Sequence, residues 1–127
     1  MGNKMKRYEK KQLLSLMDTI NEAHGYIKNQ IENKNHEAAL QMLANCQECA
    51  IQIGTSIELS EGKDNDIVNK LEKYCELLYK LSQSLDDGKS AAKFLKQIHK
   101  SADIIENNIK YSIKSQIELD RKLLFYI

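Results

Sequence analysis

From Ser90 to Gln116 the chain reads SAAKFLKQIHKSADIIENNIKYSIKSQ, and Ala91, Leu95, Ile98, Ala102, Ile105 and Ile109 recur at steps of four and three. That spacing sets one apolar stripe along a helix, with Phe94 and Ile113 widening it. Lys93, Lys96, Lys100, Asp103, Glu106, Asn107, Lys110 and Lys114 fall mostly on the other side. A helix of this design gains its stability by burying the stripe against other helices. Three earlier stretches share the design, and there is no proline to interrupt any of them. With 127 residues, 42% of them hydrophobic, the chain suits a single domain around one core.

The first helix is expected from about Tyr8 to Glu32, with its stripe on Leu13, Leu16 or Met17, Ile20, Ala23 or His24, Ile27 and Ile31. Gly25 lies inside it at a cost of roughly 1 kcal/mol against Ala, which suggests close approach of a neighbouring helix. Asn33 is placed to end this helix in the left-handed region, and Asn35 to cap the next. The second helix is expected over about His36 to Ser60, with Ala39, Leu43, Cys46, Ala50, Ile53 and Ile57 inward and Leu40 and Met42 beside them. Gly62 then stops it, and Asp64 or Asn65 caps a third helix over about Asp66 to Leu85. Ile67, Leu71, Tyr74 or Cys75, Leu78, Leu81 and Leu85 form the third stripe. Asp86-Asp87-Gly88-Lys89 is the last turn, with Ser90 as cap of the fourth helix.

Short connections between long helices predict an all-α fold, an antiparallel up-down-up-down four-helix bundle with a long fourth helix. Leu43, Ile53, Leu71, Leu78, Leu95, Ile98 and Ile105 are expected to be buried together. In that order helices 1 and 4 are neighbours, as are helices 2 and 3. Residues 1–34 carry 7 Lys/Arg against 4 Asp/Glu, residues 35–89 carry 5 against 10, and residues 90–127 carry 7 against 4. The bundle is therefore expected to have a basic side on helices 1 and 4 and an acidic side on helices 2 and 3.

The chain closes on Leu123-Leu124-Phe125-Tyr126-Ile127, a continuous apolar run that reads as a buried strand opening a second domain. On that reading residues 1–127 are one helical domain from the N-terminal part of a longer protein. The other reading continues helix 4 to Ile127 and packs its last turn on the bundle.

No apolar run approaches a membrane span, and the start MGNKMKRYEKK lacks the apolar stretch of a signal peptide, so the expectation is cytoplasmic. Myristoylation at Gly2 would want Ser or Thr where Lys6 stands.

Cys46-Gln47-Glu48-Cys49 is a C-x-x-C that could bind zinc with Cys75 and a histidine. Structural zinc sites usually pair two such units on turns, and there is one here, on a helix. The cysteines are expected to be packing residues, and no metal or cofactor is expected. A di-iron bundle would carry Glu-x-x-His, which does not occur. His24 invites comparison with histidine phosphotransfer bundles, which present an exposed helical histidine followed closely by Lys and Gly. In Ala23-His24-Gly25-Tyr26-Ile27-Lys28 the Gly comes at once and the Lys one place late, and His24 is expected at the core boundary. His36 near a helix start and His99 facing solvent show no partner in the sequence for general-base work. Lys4, Lys6, Arg7, Lys10 and Lys11 are expected to form a solvated basic start. Without a stacking platform or recognition-helix pattern, no nucleic acid is expected as partner.

Two segments, ANCQECAIQIGTSIELSEG (Ala44 to Gly62) and LEKYCELLYKLSQSL (Leu71 to Leu85), resemble the helical region preceding the transferase domain in some Firmicutes proteins of the CDP-glycerol glycerophosphotransferase type. The resemblance implies an accessory domain of an enzyme of cell-envelope polymer synthesis, such as teichoic acid synthesis, with the catalytic domain beyond Ile127. None of that family's catalytic residues maps onto this chain, so no catalytic, cofactor or metal residue is assigned. The functional expectation is a non-catalytic interaction module whose partner is another protein, its own C-terminal domain or a second copy. The alternatives are phosphotransfer through His24, and weak contact of the basic side with an anionic membrane at its inner face.

Overall fold

The computed structural model describes the backbone of residues 7–62 and 64–125, and the side chains of 10–62 and 64–111. Within them the chain forms α1 (Arg7–Glu32), α2 (His36–Glu61), α3 (Asp66–Ser82) and α4 (Gly88–Phe125) and no strand. Each helix packs on its neighbours in sequence, and α1 packs on α4, so the four close into a ring around one core.

The core follows the stripes. On α2 all six expected residues, Ala39 to Ile57, are buried. On α1, Met17 rather than Leu16 points inward, and both Ala23 and His24 are buried. On α3, Val68 takes the place expected for Ile67, which is half-buried, and Tyr74 rather than Cys75 is inside. Leu40, expected beside the stripe, is exposed. Of the seven residues expected to be buried together, Leu43, Ile53, Leu71, Leu78, Ile98 and Ile105 are. Leu95 is the exception and is half-buried: Ala91 and Ile98, one helical step to either side, take the inner line and leave it at the α1–α4 seam. The side chain of Ile113 lies outside the described residues.

Local chemistry sets the ends. Lys34, not Asn33, takes the left-handed turn after α1, at φ 58°. The Asn35 side chain then accepts from the Ala38 amide at 3.4 Å as the α2 cap. Gly62, at φ 93°, ends α2, where an L side chain would be strained. Asn65 caps α3, its Oδ1 accepting from the Ile67 amide at 2.8 Å. α3 ends at Ser82, three residues before the expected Leu85, yet Leu85 stays buried from the connection. The α4 cap is Asp87, not Ser90. Its carboxylate accepts from the Lys89 and Ser90 amides and from the Ser90 hydroxyl, at 3.2, 3.4 and 3.0 Å. These bonds favour the ionised form and hold the Asp87 carboxyl below its ordinary range.

At the other end α4 runs on to Phe125, which corrects the strand reading of Leu123 to Phe125: their backbone is helical. The burial of this run, and Tyr126 and Ile127, lie outside the described residues. Among the described residues no helix is long and apolar enough to cross a membrane.

Candidate functional site

α1 faces both α2 and α4, so its apolar stripe is wide and takes in His24 as well as Ala23. His24 is only 5% exposed. A buried imidazole needs a partner, and it finds one across the bundle: His24 Nε2 lies 2.7 Å from Tyr74 Oη on α3. The Cys46 thiol of α2 lies close enough to the same hydroxyl for each to bear on the other's ionisation. His99 of α4 meets the His24 ring edge-on, with centroids 5.9 Å apart at 74°. His99 Nε2 is in turn 3.7 Å from Asp103 Oδ2. α1, α2 and α3 thus each place one polar group inside the aliphatic core, and His99 with Asp103 of α4 continue the chain to the surface.

Burial governs how these groups titrate. It pulls His24 down from 6.5 to about 4, helped by the nearby His99 charge and opposed by Asp103. It pushes the Cys46 thiol up to about 11, against the influence of the Tyr74 hydroxyl. Burial likewise raises the Tyr74 phenol. At neutral pH the chain therefore holds a neutral imidazole, a protonated thiol and a protonated phenol. This is the reverse of the tuning that prepares a nucleophile, which lowers a thiol's pKa or sets a base near 7. Such a network fixes the relative positions of the helices in the core.

His24 Nδ1 has no hydrogen-bond partner, and neither does Asn21 Oδ1, one turn earlier on α1; both atoms are buried. Asn21 Nδ2 donates to Glu106 Oε2 at 3.1 Å, which fixes the orientation of the amide. Both side chains line a groove of about 590 Å³ between α1 and α4, with Leu95, Lys28, Lys96 and His99 on its walls. Gly25 also lines it, and a Cβ there would meet nothing within 4 Å. The glycine leaves room in the groove and does not serve the close helix approach expected from sequence.

A second groove, of about 680 Å³, runs between α2 and α3. Ala50, Gly54, Val68 and Leu71 form its floor. Ile51 and Tyr79 stand at its edges, 55% and 67% exposed. Glu58, Glu72 and Glu76 line it against the single cation Lys80. Sequence periodicity finds the buried stripe but not this feature, because Ile51 and Tyr79 sit one or two positions off the stripe and read as scattered surface residues.

The other residues weighed from sequence fall as follows. Cys46 is buried, and Cys49 and Cys75 are half-buried free thiols, raised above their ordinary range by burial first. Among the described residues no group of three or more His, Cys, Asp or Glu is arranged to hold a metal. His36 and His99, without visible partners in the sequence, have them in space. His36 Nδ1 lies 3.2 Å from Asp86 Oδ1, linking the start of α2 to the α3–α4 connection. Lys10, expected in a solvated start, is 5% exposed and packs beside Leu13, Ile57 and Ile109. Lys11 is exposed, while Lys4, Lys6 and the side chain of Arg7 lie outside the described residues. No family model, curated protein or solved structure matches the chain.

Proposed function

We propose that this chain is a non-catalytic interaction module, an antiparallel up-down-up-down bundle whose α2–α3 groove docks a basic amphipathic helix of a partner protein. The groove carries the proposal: two large apolar side chains, Ile51 and Tyr79, are held in water at its edges above an apolar floor. Its lining spans residues 47–58 of α2 and 68–80 of α3, about three turns of each, a length suited to a helix laid along the seam. Glu58, Glu72 and Glu76 select lysine or arginine on the flanks of that helix.

The antiparallel arrangement is supported by the connections and by the pairing of α1 with α4. Three residues, 33–35, join two helices of 26 residues that pack on each other. Advancing along α1 from Asn21 to His24 moves the contact back along α4 from Glu106 to His99. A role beside a catalytic domain of the CDP-glycerol glycerophosphotransferase type remains what the resemblance implies, and the groove is an independent ground for a docking role. Phosphotransfer through His24 would require an exposed ring, whereas this one is buried with Nε2 on Tyr74.

The test is a fluorescence anisotropy titration with a labelled helix bearing a leucine face and a lysine face. Saturable binding is expected, weakened about tenfold or more by Ile51→Ser with Tyr79→Ser and absent when glutamate replaces the peptide's lysines. Equal binding by the wild type and the double variant would refute the reading.

A further inference from the structure

The α1–α4 groove has features that the docking of a helix between α2 and α3 does not use. Asn21 Oδ1 and His24 Nδ1, both buried and without partners, belong to side chains that line it. Leaving such atoms unpaired forfeits their hydration without return, so an arrangement that keeps two of them at one groove calls for a third party that satisfies both. Asn21 Oδ1 can only accept. His24 Nδ1 accepts if Nε2 carries the proton to Tyr74, and donates if the Tyr74 hydroxyl donates to Nε2. A hydroxyl group both donates and accepts, so it suits Asn21 Oδ1 and either tautomer of His24.

The groove also carries positive charge. Lys28, Lys96 and Lys100 line it, and among the described residues none of the three is in an ion pair. Asp103 is the carboxylate in the lining and is engaged by His99; Glu106, which accepts from the Asn21 amide, is engaged by Lys110 at 3.4 Å. Three ammonium groups against one carboxylate leave a surplus of two charges, the charge of a phosphate monoester. Gly25, with open space over its Cα, and the half-buried Leu95 leave room for the body of the ligand.

We propose that the α1–α4 groove binds a hydroxylated phosphate ester, its phosphate among Lys28, Lys96 and Lys100 and a hydroxyl on Asn21 and His24. Such a group can come as a free sugar phosphate or as a phosphoinositide headgroup on a membrane. The experiment uses amide NMR titrations of the whole chain with ribose 5-phosphate, with ribose and with inorganic phosphate. Flotation with phosphatidylcholine vesicles with and without phosphatidylinositol 4-phosphate forms the second arm. The expected result is saturable shifts at Asn21, His24, Lys28 and Lys96 with ribose 5-phosphate at lower concentration than with phosphate or ribose, or flotation only with the phosphoinositide. The first outcome identifies a soluble ligand and the second a membrane headgroup. Lys96→Ala with Lys100→Ala, both exposed positions, is expected to weaken either binding about tenfold with the thermal melt unchanged, whereas Asn21→Ala should remove the advantage of ribose 5-phosphate over phosphate. No saturable binding in either arm, which would leave the buried atoms to water, overturns the proposal. So does binding that the lysine substitutions leave unchanged, or equal flotation with both vesicles where ribose 5-phosphate binds no better than phosphate.

Discussion

Lowering the pH from 7 to 4 should destabilise this bundle through His24 by an amount the structure sets. The folded protein holds His24 at about 4 because the ring is buried, against an ordinary value of 6.5. Between those values the unfolded chain binds a proton that the folded chain refuses, so stability rises with pH through this window. The contribution is complete above about pH 6.5, falls as pH drops, and levels off below about pH 4. Integrated from pH 7 to pH 4 the loss is about 3 kcal/mol, a large share of the roughly 5–15 kcal/mol that holds a typical domain together. Tyr74 and Cys46 stay neutral throughout, because burial raises both. The measurement is a difference between the wild type and a variant that lacks the His24 imidazole, which isolates this one group. Urea unfolding followed by circular dichroism at pH 7 and pH 4 should show the wild type losing about 3 kcal/mol more than His24→Gln. An equal loss in both proteins would mean that His24 is not buried neutral, and the polar chain through the core would be wrong.

Three further outcomes are expected. Leu78→Ala should cost about 2–5 kcal/mol, since Leu78 is buried on α3 and its removal leaves a cavity; an unmoved unfolding midpoint would show the register of α3 is wrong. Gly25→Ala should stabilise by about 1 kcal/mol, because the position is helical and a Cβ there meets nothing; a lower melting temperature would contradict the open space. Cys49 and Cys75 should be alkylated by iodoacetamide before Cys46, which is buried and pushed up to about 11, and first labelling at Cys46, read by mass spectrometry, would refute that order.

The stripes were legible because a helix packed on two neighbours must repeat apolar residues at steps of three and four. The α2 stripe was readable in full, since Ala39, Leu43, Cys46, Ala50, Ile53 and Ile57 keep steps of four and three without a break. Periodicity left three ties, Leu16 or Met17, Ala23 or His24 and Tyr74 or Cys75, and one interaction bears on the last two: the His24–Tyr74 hydrogen bond brings both polar side chains inside. That bond joins positions 50 residues apart, and no local pattern records such a pairing. The grooves were hidden for a related reason. The sequence indicates a basic and an acidic side by charge balance, but a groove depends on which half-buried side chains leave space between two helices. Caps were read to within a few residues, and the Asp87 cap was displaced to Ser90 because both residue types suit the role and both lie in the same turn.

The docking role is tested most directly by mapping the lysine-faced leucine helix onto the bundle by amide NMR. Saturable shifts should concentrate on Ile51, Gly54, Val68, Glu72 and Tyr79, and Glu72→Lys with Glu76→Lys should weaken the complex about tenfold or more while leaving the melt in place. Shifts spread evenly over all four helices, or confined to the α1–α4 side, would contradict it.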